Sequence, residues 1–140
     1  MIKKRSQKGF TLLELLVVIS IIGILIIIGS VAFSTAQRKG RDARRRGDIK
    51  AIQDGFEQYY ASHEGSYAAC DTMYAGGDFP GNVVPVDPKT GTYGCVADSD
   101  SYCVCAELED TTAGNANNVP QANGTCSFGS GTYYCLQSLQ

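Results

Sequence analysis

The chain has 140 residues, which is enough for one small globular unit together with a separate N-terminal segment. Its formal net charge of −2 conceals an uneven distribution, because residues 51–140 contain eleven acidic residues and a single basic one, Lys89. This acidic C-terminal part argues against nucleic acid as its ligand, since phosphate binding relies on Lys and Arg.

The N-terminus combines a short basic stretch with a long apolar run. Residues 1–9 carry four basic residues and no acidic one, and residues 15–33 contain no charge. Such a run is long enough to cross a hydrocarbon core as a helix. A secretory signal peptide usually has a shorter apolar region followed by a small-residue cleavage site, so a lasting membrane anchor fits better. Glu14 lies at the edge of the run, where an ionisable side chain is costly unless paired and therefore indicates function.

The processing site of type IV pilins and type II secretion pseudopilins closely resembles residues 8–14, which read KGFTLLE. The resemblance implies that a prepilin peptidase cleaves between Gly9 and Phe10 on the cytoplasmic face and methylates Phe10, the new N-terminus. It also implies that the Glu14 carboxylate pairs with the Phe10 amine of a neighbouring subunit during assembly. Stabilisation of Glu14 by the helix dipole is a compatible interpretation.

The helix is predicted to continue well beyond the apolar run. Ile49, Ile52, Phe56 and Tyr59 follow one another at spacings of three, four and three residues, which marks one stripe of an amphipathic helix. We therefore predict one helix from about residue 10 to about residue 62, ended by a C-cap glycine at Gly65.

A basic collar follows the apolar run at residues 38–50, which contain seven basic residues and only two acidic ones, Asp42 and Asp48. Its sequence RDARRR at residues 41–46 resembles the post-membrane collar of many bacterial pilins. The spacing of Asp42 and Arg46 is typical of a solvated helix face. Contact with lipid head groups, with acidic heads of neighbouring subunits, or with DNA are the alternatives.

The remainder is predicted to form a small β-sheet head. Strands are expected at Tyr93–Ala97, Tyr102–Glu109 and Thr132–Leu139, and the segment Asp110–Phe128 is predicted to be a loop that Cys126 pins to the sheet. The second strand alternates, so one of its faces should pack on the helix and the other should carry sulfur and charge. The first face consists of Val104, Ala106 and Leu108, and the second of Cys103, Cys105 and Glu107.

The six cysteines all lie in the second half of the chain, at Cys70, Cys95, Cys103, Cys105, Cys126 and Cys135. An even number in a small extracytoplasmic domain indicates a disulfide framework, although six cysteines allow fifteen pairings. Cys103 and Cys105 would share a strand face, which could suit a metal or a redox pair. The chain has one histidine and no paired CxxC units, so disulfides are favoured over zinc.

The sequence contains no recognisable catalytic constellation and no phosphate-binding loop, so we expect no enzyme activity. Heads of major pseudopilin-type subunits, which this head resembles, often bind calcium through acidic side chains. Here such a site would have to use Asp98, Asp100 or Asp110 with backbone carbonyls. Cysteine bridges are the favoured substitute for holding the loop, and no cofactor is expected.

Together these features predict an α+β protein with the pilin fold, in which a long N-terminal helix packs against a small antiparallel sheet stapled by disulfides. The expected divisions are a cleaved leader (1–9), a transmembrane and polymerisation helix (10–33), an amphipathic continuation (34–63) and a cysteine-rich head (64–140).

The predicted function is that of a structural subunit of a type IV pilus-like filament, most favourably a type II secretion pseudopilus. Its expected partners are copies of itself, other pilins, the prepilin peptidase, an inner-membrane assembly platform and the lipid bilayer. Its expected location is the bacterial inner membrane, crossed once with the head outside, and then the filament.

Three alternatives remain open from the sequence. The first is a surface pilus subunit for adhesion, motility or DNA uptake. The second is a single-pass anchored binding module that never polymerises, and the third is a membrane-tethered thiol oxidoreductase that uses Cys103 and Cys105. The second leaves Gly9, Phe10 and Glu14 unexplained, and the third lacks the usual CxxC spacing.

Overall fold

The computed structural model describes residues 9–76 and 79–140, so residues 1–8 of the predicted leader and residues 77 and 78 lie outside the description. The chain divides into two compact units, residues 1–37 and residues 38–140, the second of which we call the head unit. The first helix, α1 (Leu12–Ser62), contributes residues to both units.

The C-terminus of α1 lies where the sequence predicts it. The backbone N–H groups of His63 and Gly65 both donate to the carbonyl of Tyr60, at 3.3 and 3.1 Å. Gly65 has a φ of 74°, a left-handed conformation that glycine adopts without steric cost. The last turn of the helix is therefore closed by backbone hydrogen bonds, as expected of a C-cap glycine.

The described part of the head unit adds one short helix, a 3₁₀ turn and a five-stranded antiparallel sheet. The helix is α2 (Cys70–Ala75), and the 3₁₀ turn is Pro80–Asn82. The strands are β1 (Gly94–Ala97), β2 (Tyr102–Glu107), β3 (Gly114–Ala116), β4 (Phe128–Gly131) and β5 (Tyr133–Gln137). Their order in the sheet is β1-β2-β5-β3-β4, so the last strand pairs with β2 near the centre.

One face of β2 packs on the amphipathic half of α1 and forms the main core. Ile49, Ile52 and Phe56 on the helix and Val104 on the strand have no exposed surface. The rings of Phe56 and Tyr102 meet edge to face, with their centroids 5.0 Å apart. The predicted helical stripe and the predicted inward face of β2 are therefore confirmed, and they pack against each other.

The opposite face of β2 carries sulfur. Cys103 and Cys105 are buried there together with Cys135 and Ala116. The cysteines of the chain form three disulfides, Cys70–Cys95, Cys103–Cys126 and Cys105–Cys135, and none is free. The α+β fold with a disulfide-stapled antiparallel sheet is thus confirmed.

Glu57 on α1 ties the end of the chain to the helix. Its carboxylate accepts hydrogen bonds from the Tyr102 hydroxyl at 2.8 Å and from the backbone N–H of Leu139 at 3.1 Å. The Tyr67 hydroxyl also donates to it, at 3.0 Å. Burial, followed by the hydrogen bond to Glu57, raises the pKa of Tyr102 well above its ordinary value, so this hydroxyl remains a donor.

The structure differs from the sequence prediction in the segment between β2 and β5. The expected loop Asp110–Phe128 contains β3, and β4 begins at Phe128. Strands rich in Gly and Asn have low β-propensity, so the sequence gives no signal for them. At Gly114 a Cβ would collide with the carbonyls of Gly131 and Tyr133, and this close approach is possible only for glycine. The three predicted strands are found with their ends shifted by one or two residues.

Candidate functional site

The start of α1 is organised around Thr11 and Glu14. The backbone N–H and the hydroxyl of Thr11 both donate to Glu14 Oε2 at 2.8 Å, and the backbone N–H of Glu14 donates to Thr11 Oγ1 at 3.2 Å. This reciprocal arrangement is a capping box, in which the side chains at the N-cap and three residues later satisfy free backbone N–H groups. It holds the carboxylate at the first helical turn.

The predicted cleavage residues precede this turn directly. Gly9 and Phe10 have no helical structure, and the Phe10 side chain is 90 % exposed. The peptide bond between Gly9 and Phe10 therefore lies in exposed, non-helical chain just before the turn that holds Glu14. Cleavage, methylation and the pairing of Glu14 with another subunit remain predictions.

The helix that follows is apolar and uncovered within the described chain. Its large apolar side chains between Leu12 and Phe33 are all exposed, from 47 % at Val17 to 81 % at Leu12. By length and composition α1 is able to cross a membrane, and none of its most apolar stretch is buried as a soluble core helix would be. The polar side chains in this region satisfy themselves, as in the hydrogen bond from the Ser20 hydroxyl to the Leu16 carbonyl at 2.8 Å.

A second candidate site lies in the head unit, where charged residues form a network that we call the arginine clamp. It consists of Arg41, Asp42, Arg45, Asp87 and Glu109. Arg45 donates to Asp87 from Nε at 2.6 Å and from Nη2 at 3.3 Å, and to Asp42 from Nη1 at 2.9 Å. Arg41 donates two hydrogen bonds to Glu109, at 2.6 and 2.8 Å. Such bidentate hydrogen bonds between an arginine and a carboxylate hold the two side chains in a defined orientation as well as pairing their charges.

Backbone donors complete the clamp. Asp42 accepts hydrogen bonds from the N–H groups of Glu109 at 2.9 Å and Asp110 at 3.0 Å. Asp87 accepts two more, from the N–H groups of Lys89 and Thr90, each at 2.8 Å. The clamp therefore attaches two segments of the head, the turn after Asp87 and the chain after β2, to the collar part of α1.

The charges of the clamp are mutually stabilised. Burial by itself would raise the pKa of Asp87, but hydrogen bonds from Arg45 and from two backbone N–H groups outweigh it and hold that pKa below its ordinary range. The hydrogen bond from Arg41 lowers the pKa of Glu109 to about 2. Hydrogen bonding to Asp87 raises the pKa of Arg45 despite its burial. All three groups are therefore charged at neutral pH.

The structure corrects the prediction that the collar is an ordinary solvated face. Arg45 and Asp42 are buried, with 2 % and 6 % of their surface exposed. The predicted neighbour of Asp42, Arg46, instead donates to the Ala113 carbonyl at 2.6 Å. Only pairs such as Arg44 with Asp48, 3.7 Å apart and largely exposed on the arginine side, behave as predicted.

A signal for the clamp is present in the sequence. The stripe formed by Ile49, Ile52 and Phe56 extends backward at the same three- and four-residue spacing to Arg45 and Asp42. Two charged residues on the continuation of a buried stripe predict a buried ion pair. The helical spacing does not identify their partner Asp87, because Asp87 lies in a turn that is distant in sequence.

The three acidic calcium candidates do not converge. Asp98 and Asp100 lie in the turn that precedes β2, whereas Asp110 follows the opposite end of that strand. Asp98 already accepts hydrogen bonds from the N–H groups of Asp100 and Ser101, at 2.9 and 2.8 Å. Asp110 accepts from the N–H of Thr112 at 3.1 Å. These carboxylates order their own turns at opposite ends of β2, and calcium binding through any of them stays a prediction.

A cleft of about 590 Å³ lies beside the clamp and is lined in part by Arg38, Lys89, Glu107 and Tyr133. Its walls carry charges of both signs.

Comparison with known proteins identifies the N-terminal segment. Residues 4–30 match the family model described as the prokaryotic N-terminal methylation motif. This motif is characteristic of type IV pilins and pseudopilins, so the resemblance predicted from residues 8–14 is confirmed. No solved structure matches the chain. The match covers the region that includes Gly9, Phe10 and Glu14 and supports a pilin-like subunit.

Proposed function

We propose that this chain is the precursor of a structural, non-catalytic filament subunit, and that the filament is a type II secretion pseudopilus. The observation that carries the proposal is the position of Glu14. Its carboxylate is fixed on the first turn of a helix whose following apolar surface is uncovered, inside the segment that matches the methylation motif.

Processing is the first step of the proposal. A prepilin peptidase removes residues 1–9 and methylates Phe10, whose peptide bond to Gly9 lies in exposed, non-helical chain. Cleavage ahead of the apolar segment leaves that segment on the mature protein. The new amine at residue 10 is cationic and lies four residues before the Glu14 carboxylate.

Assembly is the second step. Apolar helices attract one another without direction, whereas a carboxylate and an amine in a low-dielectric setting are costly unless they meet. Glu14 of an incoming subunit therefore pairs with the Phe10 amine of a subunit already in the filament, and this pairing sets the register. The apolar surface from Leu12 to Phe33 is covered first by lipid and then by neighbouring helices.

The topology of the proposal follows from the cysteines. The leader stays in the cytoplasm, α1 crosses the inner membrane once, and the head lies outside. Disulfides such as Cys70–Cys95 persist in that compartment and are rare in the cytoplasm. The assembly platform of the inner membrane and other pseudopilins are the proposed partners.

The choice of a pseudopilus rests on the small head, which resembles the heads of major pseudopilin-type subunits. A surface pilus subunit would share the same processing and assembly chemistry. Deletion of the gene in the native host distinguishes the two kinds of filament. Loss of a secreted protein with normal adhesion and motility supports the pseudopilus. Normal secretion with loss of adhesion or motility supports a surface pilus.

Intact mass and N-terminal sequencing of the membrane-extracted protein test the processing step. We expect a chain that begins at methylated Phe10 and lacks six hydrogens because of its three disulfides. A chain that still begins at Met1 in cells with an active peptidase would contradict the proposal and favour a plain anchored module.

The capping box allows a sharper test of Glu14. Glutamine retains the cap but removes the charge, so Glu14→Gln should leave membrane insertion intact and abolish filament assembly. The matched variant Thr11→Ala removes the cap partner but keeps the charge, and it should still assemble. If Glu14→Gln assembled as well as the unmodified chain, the carboxylate would serve only as a helix cap.

A further inference from the structure

The two disulfides on the face of β2 that is turned away from α1 lie against each other. The Sγ atoms of Cys103, Cys105, Cys126 and Cys135 all lie within 4.8 Å of one another. Cys103 Sγ and Cys105 Sγ are 3.6 Å apart although each is bonded to a different partner. The first two residues alternate along β2 and share its face, and Cys135 on β5 lies directly opposite Cys105.

This arrangement approaches that of a tetrahedral four-thiolate metal site. Zinc binds thiolate at about 2.3 Å, which places the sulfur atoms of such a site about 3.8 Å apart. The unbonded pair of Cys103 and Cys105 is already close to that separation. The two bonded pairs would have to open by about 2 Å, a displacement within reach of rotation about the Cα–Cβ bonds of the cysteines.

The surroundings also suit a bound cation. Cys103, Cys105 and Cys135 are buried, whereas Cys126 is only partly buried and lies just before β4. Three of these cysteines are therefore shielded from solvent, and the partly buried Cys126 marks the side from which an ion can enter. The third disulfide, Cys70–Cys95, is a separate pair and offers two sulfur atoms only.

We propose that the reduced chain binds one Zn²⁺ through Cys103, Cys105, Cys126 and Cys135, in place of the two disulfides. A dithiol or phosphine reductant supplies two electrons to each disulfide, and each sulfur gains a proton. Zn²⁺ then displaces the four protons and forms four zinc–sulfur bonds, so no redox change occurs at the metal. A d¹⁰ cation fits because it accepts soft thiolates in tetrahedral geometry.

The bound ion would hold the same segments together as the disulfides do. Because Cys126 and Cys135 would stay next to β2, the reduced head would keep its native neighbours. Later loss of zinc, with two-electron oxidation of each cysteine pair by an external disulfide, would then join sulfur atoms that are already adjacent. Once Cys70 pairs with Cys95, this leaves three of the fifteen possible pairings of six cysteines. The site thus narrows disulfide formation among these four cysteines without selecting one of the three pairings.

Differential alkylation of the full chain in detergent micelles tests this proposal. The protein is reduced with a phosphine in urea and diluted into buffer with either equimolar Zn²⁺ or a chelator. It is then treated briefly with iodoacetamide, and the extent of alkylation at each cysteine is measured by mass spectrometry of its peptides. With zinc, the four proposed ligands should react on the order of tenfold or more slowly than with chelator, because structural thiolate sites bind zinc tightly. Cys70 and Cys95 should react equally under both conditions.

Stoichiometry and two variants complete the test. Native mass spectrometry should show one zinc ion on the reduced chain and none on the oxidised chain. The double variant Cys70→Ser/Cys95→Ser should retain the ion, whereas Cys126→Ser/Cys135→Ser should lose the protection of Cys103 and Cys105. Equal alkylation with and without zinc, protection spread over all six cysteines, or equal zinc binding by the oxidised chain would each overturn the proposal.

Discussion

Replacement of Arg45 by methionine tests whether the arginine clamp holds the head unit together. The Arg45 side chain is only 3 % exposed and neutralises Asp87 and Asp42, of whose side chains 4 % and 9 % are exposed. Removal of one partner of a buried ion pair leaves an uncompensated charge and typically costs about 3–5 kcal/mol. Both carboxylates retain two backbone N–H donors, so we expect the lower end of that range, about 3 kcal/mol.

The adjacent arginine provides the matched control. Arg44 is 58 % exposed and lies 3.7 Å from Asp48, so Arg44→Met should cost less than about 1 kcal/mol. Urea unfolding of the oxidised full chain in detergent, followed by near-ultraviolet circular dichroism of the buried tyrosines, compares the two variants. The difference should shrink in acid, because protonation removes the charges that Arg45→Met leaves unpaired. Equal stability of the two variants at neutral pH would refute this account of the clamp.

Three further predictions follow from the head unit. The pKa of Glu109 is about 2 in the folded chain against an ordinary 4.5, so protonation of this carboxylate favours the unfolded state. The stability that ionised Glu109 contributes should be complete above pH 4.5 and be lost as the pH falls towards about 2. Melting temperatures across this range should show a steeper decline for the unmodified chain than for Glu109→Gln, and parallel curves would contradict the assignment. Tyr102→Phe removes a hydrogen bond to a charged acceptor and should cost about 1.5–3 kcal/mol in urea unfolding, whereas no change would mean that the hydroxyl is unimportant. Cys103→Ser/Cys126→Ser opens a loop with a sequence separation of 23, which should cost about 3 kcal/mol and release the segment before β4 to proteolysis.

The N-terminal half shows how far sequence reasoning reaches when the signals are local. The methylation motif, the length of the apolar run and the stripe from Ile49 to Tyr59 all depend on residues within a few positions of one another. Helical periodicity converts such spacing directly into a face, so the helix, its Gly65 cap and its buried side were predictable. The alternation of Val104 and Cys105 fixed the two faces of β2 for the same reason.

Other features depend on contacts between distant residues. Short strands such as β3 gain their stability from pairing rather than from the propensity of Gly114 and Asn115, so local patterns do not reveal them. The collar illustrates a different difficulty, because the helical stripe marks Asp42 and Arg45 as inward-facing but does not identify the distant partner that meets them. Arg45 is buried with two carboxylate partners, Asp42 three residues away and Asp87 42 residues away, and only the first is local in sequence.

By itself, the sequence determined the N-terminal motif, the uncovered apolar helix, the side of α1 that is buried and the even set of cysteines. Only the tertiary structure decided which cysteines pair, that four of their sulfur atoms meet, and that the collar arginines bind the head. The physical reason is that spacing along the chain defines a helix face or a strand face. The partner of each face depends on how the strands are ordered and in which register they pair, and short-range sequence patterns do not contain that information.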